Sequence, residues 1–154
     1  MMKASIRVLE DAPYMLSTVE DAEKVEVEEM CKVIQTFREN PHYLQVIAEI
    51  GGYLVGAIEF RNGEKQKISH QGSFGMTVMP EYRNSGIGRI LLDALIQWAQ
   101  ENPYIEKVCL EVMEDNHGAI HLYESFGFEE EGRKRKAVKL NRGYQDLILM
   151  ALFV

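Results

Sequence analysis

Apolar and polar residues alternate through much of the first half of the chain, a pattern typical of β-strands. The runs that show this pattern, or that are rich in β-branched and aromatic residues, are 6–9, 43–50, 53–60 and 68–79. Gly51-Gly52 joins the second run to the third, and two glycines suit a tight hairpin turn because such turns need positive φ. Gly72 and Gly75 interrupt the last run, where interior glycines mark a bulge or the close approach of another group. These runs predict a β-meander.

Helical spacing of apolar residues predicts helices between and after these runs. One predicted helix begins near Asp11-Ala12-Pro13, and a second covers 25–39. A third contains the apolar stripe from Ile87 to Trp98 and is ended by Asn102-Pro103, and a fourth covers 116–126. The polar and acidic stretch 17–24 predicts a loop. Gly127 suits a left-handed cap at the end of the last helix.

Three further strands are predicted in the second half of the chain. They cover 107–113, 134–140 and 144–153. In the first of them, Glu111 points to the face opposite that of Leu110 and Val112, and Asn141-Arg142-Gly143 turns the other two into a hairpin. The order of elements predicts one α/β (α+β) domain over residues 1–154, with a mixed sheet of about seven strands and helices on both faces.

Composition narrows the function classes. The 154 residues carry a net charge of −7, which disfavours a general nucleic-acid binder because such affinity comes from neutralised phosphates. Cys31 and Cys109 have neither metal-ligand spacing nor the number that a disulfide framework needs, so no metal is expected. No uncharged apolar stretch approaches the roughly 18 residues of a membrane span. Charged residues near the N-terminus also come before any apolar run long enough for a signal peptide. We therefore expect a cytoplasmic protein without a membrane partner.

The most informative segment leaves a strand and opens an amphipathic helix. It reads Val78-Met79-Pro80-Glu81-Tyr82-Arg83-Asn84-Ser85-Gly86-Ile87-Gly88-Arg89. Glycines at a helix N-terminus let a phosphate approach unpaired backbone N–H groups, and Arg83 and Arg89 add positive charge. The dinucleotide fingerprint needs a glycine where Leu91 stands, and the P-loop needs Lys-Ser/Thr after Gly88. The segment predicts an anion site of another kind, or a plain turn and cap.

Two motifs together resemble the GNAT superfamily of N-acetyltransferases. Residues 83–88 fit that family's Gln/Arg-x-x-Gly-x-Gly/Ala motif, and Asn116-x-x-Ala119-x-x-Leu122-Tyr123-x-x-x-Gly127-Phe128 fits its second signature. Residues 143–150 also look like the family's last strand. The resemblance covers essentially the whole chain. It implies a mostly antiparallel sheet with one splayed pair of parallel strands, and acetyl-CoA as co-substrate.

The resemblance also implies which residues hold the coenzyme. The implied contacts are Met76, Thr77, Val78, Arg83, Asn84, Ser85, Gly86, Ile87, Gly88, Arg89, Asn116 and Tyr123. The pantetheine arm would pair with one splayed strand as an added strand does, beside a bulge at Gly75. The backbone N–H of Val78 would donate to the oxyanion. Asn116 would cap a helix and also contact the pantetheine.

The same resemblance implies the catalytic pair Tyr123 and Glu111. Tyr123 would act as the acid beside the departing sulfur, with a plain core tyrosine as the alternative. Glu111 lies in a Leu-Glu-Val element like that of ribosomal-protein alanine N-acetyltransferases and would deprotonate the amine. The alternative is an exposed strand carboxylate. His70 and Glu59 are competing bases.

The implied reaction is direct transfer of an acetyl group to a primary amine, without a covalent enzyme intermediate, because nothing near either cysteine would activate it. Small amines, free amino acids, antibiotics and peptide N-termini all remain open as acceptors. The terminal hairpin looks more like amino-acid N-acetyltransferases, whereas the Leu-Glu-Val element looks more like the ribosomal-protein enzyme, so the two indications disagree. The acceptor pocket is expected between the first two helices, the strand from Ile68 and the terminal hairpin. The rival function is a non-catalytic acyl-CoA-binding regulatory domain.

A basic run near the C-terminus gives a further alternative. It comprises Arg133-Lys134-Arg135-Lys136, Lys139 and Arg142. An RNA- or ribosome-associated module could use it, but it lacks interleaved aromatic residues, so a solvated hairpin is favoured and no nucleic-acid partner is expected. The apolar tail 147–154 would suit a sheet edge shared across a homodimer.

Overall fold

The computed structural model describes residues 13–141 and 143–154, which contain four helices and six strands. The helices are α1 (Val19–Glu23), α2 (Val27–Glu39), α3 (Ile87–Glu101) and α4 (His117–Ser125). The strands are β1 (Leu44–Ile50), β2 (Tyr53–Asn62), β3 (Gln71–Val78), β4 (Lys107–Met113), β5 (Glu129–Leu140) and β6 (Gly143–Phe153). Short 3₁₀ turns at Gln66–Ile68 and Pro80–Tyr82 flank β3.

The strands form one mixed sheet in the order β1-β2-β3-β4-β6-β5. Every neighbouring pair is antiparallel except β3 and β4, which run parallel. The parallel connection passes through α3, as a crossover must. The predicted mixed, mostly antiparallel sheet is confirmed with six described strands, and the seventh predicted run, 6–9, lies outside the described residues.

The two faces of the sheet carry different helices. Phe60 and Phe74 are partners in the β2–β3 register and share a face; there the Phe60 ring lies 5.5 Å from Trp98 of α3. Arg61 follows on the opposite face, with its guanidinium carbon 4.7 Å from the ring centroid of Phe37 in α2. We call these the α3 face and the α2 face. The predicted helices on both faces are therefore confirmed.

Leucines of α3 fill the core on the α3 face. Leu91, Leu92 and Leu95 are almost completely buried, because the apolar stripe of the helix turns toward the sheet. Val108 and Leu110 of β4 face the same core. Within the described residues, no helix has the length and apolar character that a bilayer crossing requires.

Residues 17–24 were expected to loop, and that prediction is wrong. They contain α1, whose N-cap Thr18 accepts a hydrogen bond from the Asp21 N–H while the Asp21 carboxylate accepts one from the Thr18 N–H. This reciprocal capping box stabilises a helix too short to show periodicity. The backbone and hydroxyl of Thr18 lower the pKa of Asp21. Of the helix expected near 11–13, the first two residues lie outside the described part, and Pro13 lies in a turn.

Strand ends also differ from the prediction at charged positions. β5 begins at Glu129, five residues before the predicted start at 134, and β2 runs on to Asn62. β5 forms an edge of the sheet, where charged side chains are tolerated and discourage aggregation. Because the added residues of β5 and β2 are mostly polar or charged, the hydrophobic pattern did not indicate that these strands extend so far.

The two glycines of β3 behave differently. No bulge exists at Gly75, because the β2–β3 register continues without a shift from Gly56↔Val78 to Asn62↔Gly72; that prediction is wrong. At Gly72 the expected close approach is present, since a Cβ built there would lie 2.3 Å from the Arg61 carbonyl oxygen and 2.4 Å from the Phe60 ring.

Candidate active site

A gap opens between β3 and β4. Their parallel pairing covers only Gln71–Ser73 against Lys107–Cys109. Beyond it, β3 continues to Val78 and β4 to Met113 without pairing to each other. Each strand remains hydrogen-bonded to its other neighbour, so the two edges that face the gap stay rigid. This is the splayed parallel pair that the resemblance implied.

Backbone directions along β3 follow from two hydrogen bonds to the β2 side. The Gly63 N–H donates to the Gln71 carbonyl at 2.9 Å, and the Met79 N–H donates to the Val55 carbonyl at 2.9 Å. Because N–H and C=O groups alternate in direction along a strand, the odd-numbered residues between them, including Thr77, face β2. The amides of Met76 and Val78 therefore point into the gap.

The N-terminus of α3 lies just beyond the gap. Its N-cap, Gly86, has φ +90° and no side chain to cap the helix, and Asn84 is also left-handed at φ 58°. The first N–H groups of a helix have no intrahelical partner and sit at the positive end of its dipole. A Cβ at Gly86 would meet nothing within 4 Å. The loop thus presents open backbone donors to solvent.

Both arginines of this segment are held by the fold. The Arg83 Nε donates to the Val78 carbonyl at 3.3 Å, and the Arg89 Nη2 donates to the Ser125 hydroxyl at 3.1 Å. The Ser85 hydroxyl donates to the Tyr82 carbonyl and tightens the turn. Positive charge is therefore fixed on both sides of the α3 N-terminus.

Helix α4 closes the same corner. A Cβ at Gly88 would lie 3.5 Å from both Leu122 of α4 and Met76 of β3. Asn116 caps α4, since its Oδ1 accepts a hydrogen bond from the Ala119 N–H at 3.3 Å, which confirms the predicted helix cap. The structure thus brings the residues of both motifs together at one end of the gap.

Tyr123 of α4 is 8% exposed and belongs to the buried core that packs against β3. Its ring centroid lies 5.7 Å from that of Phe74 and 6.0 Å from that of Phe128. Burial raises the pKa of Tyr123 to about 12, so the phenol keeps its proton at any physiological pH. A buried phenol that stays neutral is a hydrogen-bond donor for a group entering the gap.

The shifted pKa of Tyr123 predicts a pH dependence of stability. Above pH 10 the unfolded chain ionises this phenol, whereas the folded protein keeps it neutral until about pH 12. The free energy of unfolding should fall across that window, by about 2–3 kcal/mol at its upper end. Urea denaturation at several pH values should show a smaller fall for Tyr123→Phe; equal falls for both proteins would contradict the expectation.

Two of the three candidate bases share the α2 face of the sheet, and the third lies at the far end of β3. Glu111 of β4 faces the α2 side and pairs with Lys134 of β5. Glu59 lies opposite Gly75 in the β2–β3 register, on the same side. His70 lies at the paired end of β3, where its carbonyl accepts the Glu106 N–H at 2.8 Å. At about 3.3 Å per residue, it lies roughly 20 Å along the strand from the Met76 amide. The structure therefore groups the two carboxylates and separates the histidine.

A cavity of about 520 Å³ opens on the α2 face, next to these carboxylates. It is lined by Glu59, Arg61, Asn62, Gly63, Ile68, Gln71, Gly72, Ser73, Phe74, Gly75 and Cys109. Ile68, expected to border the acceptor pocket, is among the lining residues; the others lie in β2, β3 and β4 and at Gly63, and none lies in the first two helices or the terminal hairpin. Arg61, Gln71 and Ser73 line this cavity and were not among the candidate residues predicted from the sequence. Alternation of side chains along each strand hinted at them, but only the register shows that they share one face.

Cys109 in this cavity is not an activated nucleophile. Burial raises the pKa of its thiol, against a smaller opposing effect of Lys107, and its Sγ lies 3.9 Å from the Gln71 side-chain oxygen. A thiol with a raised pKa carries little thiolate at neutral pH. Across residues 13–141 and 143–154, no cluster of three metal-ligating side chains occurs.

Acidic neighbours neutralise part of the basic run. Arg133 makes ion pairs with Glu114 at 3.1 Å, with Glu130 at 3.7 Å and with Asp146 at 3.8 Å. The Lys136 N–H donates to the Asp146 carboxylate at 2.8 Å. Charges that are already paired release few counterions on binding nucleic acid, so these contacts support the solvated hairpin.

Comparison with protein families assigns most of the chain. Residues 7–128 match the family model described as the acetyltransferase (GNAT) family. The chain is 30% identical over 113 residues to the L-amino acid N-acetyltransferase AaaT of Escherichia coli, covering 73% of this chain and 70% of that protein. It is 39% identical over 79 residues to the ribosomal protein bS18-alanine N-acetyltransferase of Salmonella typhimurium, about half of each chain. It is 29% identical over 102 residues to the spermidine N(1)-acetyltransferase of Vibrio cholerae, covering 66% of this chain and 58% of that one.

Solved structures share the fold at lower identity. An acetyltransferase of the GNAT family from Streptococcus pneumoniae superposes with a TM-score of 0.92 at 22% identity, over 99% of this chain and 92% of that one. The structure of yncA from Salmonella typhimurium, solved with its cofactor acetyl-CoA, superposes with a TM-score of 0.85 at 18% identity, over 99% of this chain and 85% of that one.

Proposed function

The chain belongs to the acetyltransferase (GNAT) family, and from that premise we propose that it transfers the acetyl group of acetyl-CoA directly to a primary amine. The observation that carries the proposal is the gap between β3 and β4, with the open N-terminus of α3 at one end and Tyr123 packed against Phe74 of β3. Such a gap offers donors for a diphosphate at one end and a wall for a thioester at the other.

In the proposed position, the diphosphate and the pantetheine arm of the coenzyme bind successive backbone N–H groups. The amides of residues 86–88 bind the diphosphate, and Arg83 and Arg89 stand on either side of it. The pantetheine arm pairs with the free edge of β3 as an added strand, where the amides of Met76 and Val78 point. Asn116 keeps its side-chain NH₂ for the arm, because its Oδ1 is the atom that caps α4.

The chemistry needs three protein contributions. The amine must lose a proton before attack, because a free alkylamine has a pKa of about 10.4, and Glu111 receives that proton through water. The Val78 N–H stabilises the developing oxyanion. Tyr123 donates a hydrogen bond to the departing sulfur; with a pKa of about 12 it shares its proton with the thiolate rather than losing it early. Cys109, with its raised pKa, takes no covalent part.

Glu111→Gln tests the base. Its kcat/KM should fall at pH 7 and fall less at pH 9.5, because the amine then deprotonates without help. Initial rates of CoA release at both pH values measure the ratio. Glu124→Gln, an exposed glutamate on α4, is the matched control and should follow the unchanged protein. A loss for Glu111→Gln that is equal at both pH values would remove Glu111 from proton transfer.

An amine panel tests the activity itself. Acetyl-CoA is the donor, and free thiol is measured with amino acids, amino-acid amides, short peptides and polyamines as acceptors. Thiol release that depends on one acceptor class supports the proposal. Tight binding of acetyl-CoA by calorimetry without release for any acceptor would support the non-catalytic acyl-CoA-binding domain instead.

A further inference from the structure

We propose that the acceptor is a free α-amino acid, whose carboxylate binds Arg61 while its ammonium group lies at Glu59. This inference rests on the proposed function, since it names the substrate of the same site. Glu59 and Arg61 are two residues apart on β2 and line the cavity on the α2 face. They are an anion and a cation on one wall of the space that adjoins the gap.

The guanidinium of Arg61 is held in a fixed position, and it makes no hydrogen bond with the neighbouring Glu59. The guanidinium carbon of Arg61 lies 4.7 Å from the ring centroid of Phe37, which orients the planar group. Within residues 13–141 and 143–154, its nearest carboxylate oxygen is the Glu59 Oε2 at 3.9 Å, beyond hydrogen-bond distance. The side chains of both residues are about half exposed. A guanidinium with free N–H groups in a fixed fork fits a carboxylate through two parallel hydrogen bonds.

Two further ion pairs include residues of this face. Glu111 pairs with Lys134, and Lys107 pairs with Glu131 at 2.6 Å. A polyamine would bring several positive charges to a wall whose carboxylates, in the pairs given above, already lie beside cations, and its extra ammonium groups would lose hydration without partners. A peptide N-terminus would bring an ammonium group but no adjacent carboxylate for Arg61. A zwitterion satisfies both Glu59 and Arg61.

The spacing also fits a zwitterion of the α type. The charged groups of Glu59 and Arg61 lie 3.9 Å apart, and in an α-amino acid one carbon joins the ammonium and the carboxylate. Glu59 lies opposite Gly75 in the sheet, where a Cβ would meet nothing within 4 Å. The ammonium group therefore sits in open space beside the edge of β3 that faces the gap.

The reaction then balances without any other reactant. The ammonium group loses one proton to a carboxylate and so to solvent, and the neutral nitrogen attacks the thioester carbonyl. The new C–N bond forms, the C–S bond breaks, and the second nitrogen proton ends on the CoA sulfur. The products are an N-acetyl amino acid, free CoA and one proton.

The test compares each amino acid with its own carboxamide, which lacks the carboxylate charge and has a less basic amine, so rates are compared per neutral amine. With acetyl-CoA saturating, kcat/KM should favour the free acid by roughly 10- to 100-fold, the value of a charge-assisted hydrogen-bond pair. Arg61→Gln should abolish that preference, and Arg61→Lys should restore part of it. Lys67→Gln, in the 3₁₀ turn beside the cavity, is the matched control and should keep the full preference.

Three outcomes separate this inference from the proposed function. Equal or better turnover of carboxamides, peptides or polyamines by the unchanged protein would overturn the amino-acid acceptor but leave the acetyltransferase activity standing. A preference for the free acid that survives Arg61→Gln would remove Arg61 as the carboxylate site. Failure of every acceptor, with acetyl-CoA bound, would end the proposed function itself. Calorimetric affinity for acetyl-CoA should be unchanged in Arg61→Gln, which also shows that the variant folds.

Discussion

Tyr123→Phe should lower kcat by about 100-fold or more while leaving the affinity for acetyl-CoA close to that of the unchanged protein. The substitution removes one hydroxyl and keeps the ring, so the contacts with Phe74 and Phe128 remain. The lost hydrogen bond forms fully only as the sulfur becomes a thiolate, so its loss appears in kcat rather than in coenzyme binding. Single-turnover kinetics with acetyl-CoA bound isolates that step.

Tyr53→Phe supplies the matched control for this change. Tyr53 is 76% exposed at the start of β2, beside the hairpin turn to β1, and β2 does not border the gap, so its hydroxyl should be dispensable. An unchanged kcat for Tyr123→Phe would leave Tyr123 as a core residue alone. A loss of acetyl-CoA affinity as large as the loss of kcat would assign the hydroxyl to coenzyme binding instead of catalysis.

The second large effect separates stability from activity at the two glycines of β3. Gly72→Ala should destabilise the fold by about 3 kcal/mol, because its Cβ would lie within 2.7 Å of backbone atoms of Arg61 and Asn62 that cannot move aside. Gly75→Ala should leave the free energy of unfolding nearly unchanged, since its Cβ would meet no protein atom within 4 Å. Neither glycine has a positive φ, so backbone strain does not enter the comparison.

Gly75→Ala should nevertheless lower kcat/KM for the amine by about tenfold or more, the cost of a misplaced reactant. The added methyl would occupy the space proposed for the ammonium group. Urea denaturation and initial rates on both variants measure the two effects independently. Full activity in Gly75→Ala would place the acceptor elsewhere, and full stability in Gly72→Ala would contradict the close packing of β2 against β3.

Sequence alone predicted most elements because their periodicity is strong. The stripe from Ile87 became α3, and the alternation at 107–113 became β4 with the same bounds. It failed where a short or charged element lacks such a pattern, as with α1 and the first residues of β5. α1 depends on the capping pair Thr18 and Asp21 rather than on burial, so hydrophobic spacing could not reveal it.

The candidate site likewise has one part that the sequence could predict and one part that it could not. The residues around Gly86 and Tyr123 lie in local motifs, so their segments could be identified from the sequence. The cavity wall could not, because Glu59, Arg61 and Ser73 share a face only through the register of β2 with β3. Register depends on pairing between distant segments. The bulge expected at Gly75 failed for the same reason, since a glycine in open space and one in close contact look alike in a sequence.

Amide NMR during a titration with acetyl-CoA tests the central claim most directly, because the claim concerns individual backbone N–H groups. The account predicts the largest chemical-shift changes at residues 86–88, where the diphosphate would bind, and at Met76 and Val78 along the free edge of β3. The Thr77 amide, which faces β2, should shift less than both neighbours. Saturating acetyl-CoA that leaves these amides unmoved, or that moves only amides outside the gap, would contradict the account.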